Sequence, residues 1–144
     1  MKYRQINKSK CYCITMCRAA NAITSFYDEG LKPAGITTKQ FSLLIHLSRL
    51  GEASTVELAD YVNLERSTVT RNLKALLAQG WIEDRAGAGR RNHKYSVTQK
   101  GMEKLEETDL LWEEMQKRIQ DYLGQEKAKE LLEGLYLLQQ LQQE

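Results

Sequence analysis

The chain has 144 residues, 42% hydrophobic and 28% charged, with one proline and three cysteines. That is enough for one domain with a buried core and no disulfide support, and the composition excludes a disordered or fibrous chain. No apolar run approaches the ~18 residues of a membrane span. The basic start, MKYRQINKSK, leads into an apolar stretch that stops at Arg18, a poor secretory signal, so a cytoplasmic protein without a membrane partner is expected. The net charge of +2 hides an asymmetry. Residues 66–94 carry seven Lys/Arg against two acids, a net of +5, whereas residues 99–144 carry six against eleven, a net of −5. One segment is suited to a polyanion and the other to water or a protein partner.

The spacing predicts a first helix over residues 11–28, with apolar or small residues at Ile14, Cys17, Ala20 or Ala22, Ile23 and Phe26/Tyr27, ending in Gly30. Thr37 or Thr38 caps a second helix, Lys39–Leu50, closed by Gly51. A third starts near Ser54 or Thr55, with Val56, Leu58, Ala59 and Val62 on one apolar side. After the break Asn63-Leu64-Glu65, a fourth runs over about Ser67–Gln79, with Val69, Leu73, Leu76 and Leu77 as core positions and Gly80 as its stop. The period then becomes two. Trp81–Arg85 and His93–Val97 read as short strands around a basic tip holding Arg90 and Arg91. Thr98 caps a long helix to about Leu123, whose seam is Leu105, Thr108, Trp112, Met115, Ile119 and Tyr122. A last helix after Gly124 carries Ala128, Leu131, Leu132, Leu135, Leu138 and Leu141. These two helices lie outside the 37–98 unit, and their stripe is read as covered by a second copy rather than by their own core.

Helix, short break, helix, strand, basic hairpin and strand form the winged helix-turn-helix order. With Val69, Leu73, Leu76 and Leu77 turned inward, the opposite side of the fourth helix presents Arg66, Ser67, Thr68, Thr70, Arg71 and Lys74. Arginine reads guanine edges in a fork, Ser and Thr bond base or phosphate, and a helix N-terminus attracts phosphate. Arg90 and Arg91 on the hairpin are placed for phosphates or the minor groove. A Ser/Thr/Arg face on its own is only a solvated face. Together with the break, the wing and the local charge, it predicts binding to double-stranded DNA.

The run Leu58-Ala59-Asp60-Tyr61-Val62, Arg66-Ser67-Thr68-Val69-Thr70-Arg71-Asn72-Leu73, Gly80-Trp81-Ile82, Arg91 and Val97-Thr98-Gln99-Lys100-Gly101 resembles the MarR family of transcriptional regulators. The resemblance covers nearly the whole chain. It implies an α+β, mostly helical fold: a winged helix-turn-helix lobe over 37–98, flanked by dimerisation helices over 1–36 and 99–144, in one domain of 144 residues. It implies a homodimer on a pseudo-palindromic operator, acting as a repressor relieved by an effector. One departure stands out. The family's wing commonly reads Asp-x-Arg, and here Gly89 replaces the acid before Arg91, so the tip lacks the carboxylate that orients it.

Cys11, Cys13 and Cys17 fall at the start of the first helix, where the helix N-terminus and Lys8, Lys10 and Arg18 favour a thiolate. The stretch Cys13-Ile14-Thr15-Met16-Cys17-Arg18 with Ala22–Tyr27 is similar to the organic-hydroperoxide-sensing branch of the family. That likeness implies a reactive Cys13 hydrogen-bonded by Tyr27, with Cys17 or Cys11 as a resolving thiol; two further branch tyrosines are replaced by Cys17 and Thr38. Three readings stay open: inert small side chains, an oxidant- or electrophile-sensing thiol, or a thiolate site for zinc or copper. His46 and His93, the only histidines, read as structural or solvated, and no His pair has metal spacing. No phosphate-binding loop, His-Glu-x-x-His or Gly-x-Ser-x-Gly is present, so neither an enzyme nor a cofactor is expected. The alternative to a DNA-binding regulator is a protein-interaction module that uses the C-terminal helical seam.

Overall fold

In the computed structural model, residues 8–86 and 92–143 are described. Helix α1 spans Tyr12–Leu31 and passes into a 3-10 turn, Lys32–Ala34. The expected stop at Gly30 is not a stop. A Cβ there would sit 2.1 Å from the Met115 sulfur, so Gly30 leaves room for a side chain from a later helix. The left-handed residue that ends the segment is Gly35, at φ 69°.

Helix α2, Thr38–Leu50, is capped by Thr37, whose hydroxyl accepts from the Gln40 amide while the Gln40 side chain accepts from the Thr37 amide. Ser54 and Glu57 make the same reciprocal box at the start of α3, Thr55–Val62. Asn63 ends α3 in the left-handed region at φ 53°, which an Asn tolerates, and the short break turns the chain into α4, Arg66–Ala78. Leu43, Leu44, Leu47, Leu58, Val69, Leu73 and Leu76 interlock these three helices in one core. Leu77 and Val56, expected in the core, are exposed; Leu77 keeps 37% of its surface. Val69, Leu73 and Leu76 already make one face at helical spacing, and Leu77 falls one step around the helix from it.

α4 ends in a Schellman motif. Gly80 sits at φ 74°, its amide donates to Leu77 O at 3.0 Å and the Trp81 amide to Leu76 O at 3.1 Å. Strands β1, Ile82–Asp84, and β2, Tyr95–Val97, pair antiparallel with Ile82 opposite Val97. Ala53 adds a bridge to Tyr95 on the far side of β2, tying the wing to the α2–α3 connection.

Helix α5, Gln99–Leu123, starts at Thr98, whose hydroxyl accepts from the Gly101 amide and donates to Gly80 O at 2.6 Å. Its seam is buried at Leu105, Thr108 and Met115, half-buried at Trp112 and Ile119, and exposed at Tyr122. Against α1 it places Gln116 on the Tyr27 hydroxyl and Arg118 over the Phe26 ring at 4.9 Å. Lys104 donates to Ala34 O at 2.7 Å and lies over Trp81, joining the N-terminal segment to the lobe. Helix α6, Gln125–Gln139, buries no residue, and residues 11–23 of α1 are exposed on every side.

Gly101 tests how tightly the lobe is fixed to α5. A Cβ at this position would stand 2.0 Å from the Trp81 carbonyl oxygen, which is backbone and cannot rotate away. Gly101→Ala is therefore expected to lower stability by about 1–3 kcal/mol despite its better helix propensity. Gly30→Ala meets only the flexible Met115 side chain and should cost less. Urea unfolding of both variants checks the order.

Candidate nucleic-acid interface

The basic surface begins with the spacing of α4. Val69, Leu73 and Leu76 are buried, so Ser67, Thr70, Arg71 and Lys74, at i, i+3, i+4 and i+7, form the outward stripe. All four are exposed, as is Arg66, and Thr68 is half-buried beside them. The helix holds three cations and no acid. Glu65 caps it with no side-chain hydrogen bond, so the first-turn amides remain unclaimed by that residue. Amides at a helix start, in line with the helix dipole, suit a phosphate. Asn72 turns inward, donating to Thr68 O at 2.8 Å.

The wing's neck is held by a residue not singled out in the sequence. The Asp84 carboxylate accepts from the Ala86 amide at 3.0 Å, the Lys94 amide at 3.3 Å and the His93 ring. Desolvation acts to raise its pKa, but the His93 bond and the backbone donors outweigh it and hold the carboxyl below its ordinary value. Arg85 donates to Ser96 at 3.1 Å across the neck. Lys94 reaches back to Glu57, 2.8 Å from Oε1, and so anchors β2 to the start of α3. Its hydrogen bond is the leading reason that Glu57 titrates low. The usable signal was an acid ending the first strand with a His nine residues on, opening the return strand. The expected tip contacts, Arg90 and Arg91, lie outside the described residues. His46 is structural: its Nδ1 meets Ser42 and its ring stands edge-on to Tyr61 at 5.4 Å.

The thiols depart from expectation. Cys11, Cys13 and Cys17 are free and exposed. The Cys13 thiol is pushed up, not down: Cys17 raises it first through its charge and then through a hydrogen bond, with Cys11 and slight burial acting the same way. Tyr27 is not beside Cys13 within one chain either. Fourteen residues along a helix is roughly 21 Å, and the buried Tyr27 hydroxyl is taken by Gln116. Among the described residues no three His, Cys, Asp or Glu are gathered to hold a metal ion, so the zinc or copper reading of the three thiols is not supported.

Residues 34–91 match the MarR family profile. An uncharacterised HTH-type transcriptional regulator of Bacillus subtilis, YwoH, is 32% identical over 93 residues, covering 65% of this chain and 68% of YwoH. The Mycobacterium tuberculosis transcriptional regulator MosR, solved in complex with DNA, is 31% identical with a TM-score of 0.79, over 93% of this chain and 97% of MosR. The chain belongs to the MarR family. The oxidised form of Escherichia coli MarR shares the fold at 20% identity, with a TM-score of 0.72, over 94% of this chain and 96% of that one. These MarR-family relatives are transcriptional regulators, and this chain is a DNA-binding regulator of the same kind. Among the described residues no helix is long and apolar enough to cross a membrane.

The neck generates a pH prediction. A carboxyl held below its unfolded value of ~3.9 stabilises the fold above that pH, and the contribution is lost as pH falls through the lower folded value. Amide exchange at Ala86 and Lys94 should therefore rise selectively in that acid window, before α2–α4 opens. Asp84→Ala should show the same selective loss at neutral pH. Unchanged protection at both amides would remove Asp84 from the neck.

Proposed function

We propose that this MarR-family regulator acts as a homodimeric repressor, each copy laying α4 in the major groove of one half of a pseudo-palindromic operator. The observation that carries this reading is the acid-free outward face of α4, with Ser67, Thr70, Arg71 and Lys74 in one stripe above a rigidly packed core. Arg66, Ser67 and Thr68 at its start serve the phosphate backbone, and Arg90 and Arg91 serve the wing contact. The DNA complex of MosR, alike over nearly the whole chain, supports the same use of the lobe.

The second copy is argued from what one copy leaves bare. Leu131, Leu132, Leu137, Leu138 and Leu141 are each 40–68% exposed, and Ile14, Met16 and Ile23 are 39–46% exposed. Burying one leucine side chain stabilises by roughly 1.5–3 kcal/mol. Two helix faces of this kind are far more costly in water than against each other, and a second copy offers the matching pair. The same count speaks against a free-standing interaction module, because dimerisation consumes the seam.

Release follows if an oxidant or small-molecule effector alters the scaffold helices and so the separation of the two α4 helices. The thiols Cys11, Cys13 and Cys17, at the exposed end of α1, are the effector site in this reading. Tyr27 acts as an anchor of α1 on α5 rather than as a partner of Cys13 in the same chain.

Arg71→Ala tests the readout. With a base-reading arginine, affinity for a selected operator should fall by ~1–3 kcal/mol, with a smaller loss on random duplex. Titration of both duplexes at two salt concentrations measures it. Equal losses on the two would make Arg71 a phosphate contact.

A further inference from the structure

The DNA-binding geometry leaves the thiols of α1 unused. Cys11 is the N-cap, and the first turn behind it is clasped by Ser9, which accepts from the Cys11 amide at 3.1 Å and takes the Thr15 hydroxyl on its carbonyl at 3.2 Å. Cys13 and Cys17 lie one turn apart on this fixed helix, free and exposed. At positions i and i+4 their side chains share one face of the helix.

Helix geometry decides what this pair can take. Side chains four apart have Cβ atoms about 5–6 Å apart. A disulfide needs roughly 3.5–4.5 Å between Cβ atoms, so a direct sulfur–sulfur bond requires α1 to distort. One large atom placed between the sulfurs spans the gap with the helix intact. Condensation at a trivalent metalloid hydroxide carries the thiol protons away as water.

We propose that Cys13 and Cys17 form a chelating dithiol for trivalent arsenicals and antimonials. With an organoarsenous acid, two arsenic–sulfur bonds form and two arsenic–oxygen bonds break. The two thiol protons leave on the departing hydroxyls as two waters. Arsenic stays trivalent, so no oxidant or reductant is consumed. Cys11 is not part of the chelate. The binding stands independently of the repressor reading; only its consequence for DNA rests on that reading, which places α1 in the dimer.

The test uses the full-length reduced protein and phenylarsine oxide, read by intact mass. One adduct per chain is expected, stable to excess 2-mercaptoethanol and removed by dimercaptopropanol. Cys13→Ser and Cys17→Ser should each weaken retention about 100-fold, the loss expected when the second bond is no longer intramolecular. Cys11→Ser should retain the adduct. An adduct stripped by monothiol, one that survives in Cys13→Ser or Cys17→Ser, or one lost in Cys11→Ser overturns the proposal. Operator binding is titrated in parallel. A stable adduct with unchanged DNA affinity confirms the chelate and rejects instead the coupling of α1 to the DNA-binding lobes.

Discussion

The fold depends on one junction, where the end of α4, the start of the wing and the start of α5 meet at Thr98. Its hydroxyl accepts from Gly101 and donates to Gly80, while its amide donates to Trp81 O at 3.0 Å. Gly80 turns the chain at φ 74°, and Gly101 lets α5 come against the Trp81 carbonyl. Each of the three segments thereby closes a backbone group that another leaves open. Little freedom remains in the angle between α4 and α5. Lys104, on Ala34 O and over Trp81, braces the same junction from the N-terminal side.

That constraint connects charge to function. A net charge of +2 across 144 residues would attract nucleic acid weakly. On α4, which holds three cations and no acid, positive charge is instead gathered into one outward surface. Rigid attachment to α5 makes the position of that surface a property of the scaffold. The Asp84 neck and the Lys94–Glu57 pair extend the rigidity to the base of the wing.

Most of the architecture was legible because it is written in local chemistry. Thr37 and Thr98 before apolar periods, Gly80 after one, and the change to period two at Trp81 place the helices and the wing to within a few residues. Gly30 misled because a glycine that admits a neighbouring helix looks the same in sequence as one that ends a helix; only Met115, far along the chain, distinguishes them. Leu77 and Val56 misled for a related reason, since spacing gives a face but not its width. In the site, the α4 stripe followed from helical geometry alone. Asp84 was missed because its three donors converge only when the hairpin closes. At Cys13 the helix end on its own points to a lowered pKa, whereas the two thiols beside it act to raise it.

The central claim is that two copies of this lobe are held so that their α4 helices meet successive major grooves on one side of the duplex. Methylation-protection footprinting on a selected operator, with the protein-to-duplex stoichiometry measured on the same complex, tests it most directly. The account predicts two copies per duplex and two dyad-related patches of major-groove protection, with centres about 10–10.5 base pairs apart. A single protected patch bound by one copy, or two patches at a spacing that is not a whole turn, would contradict it.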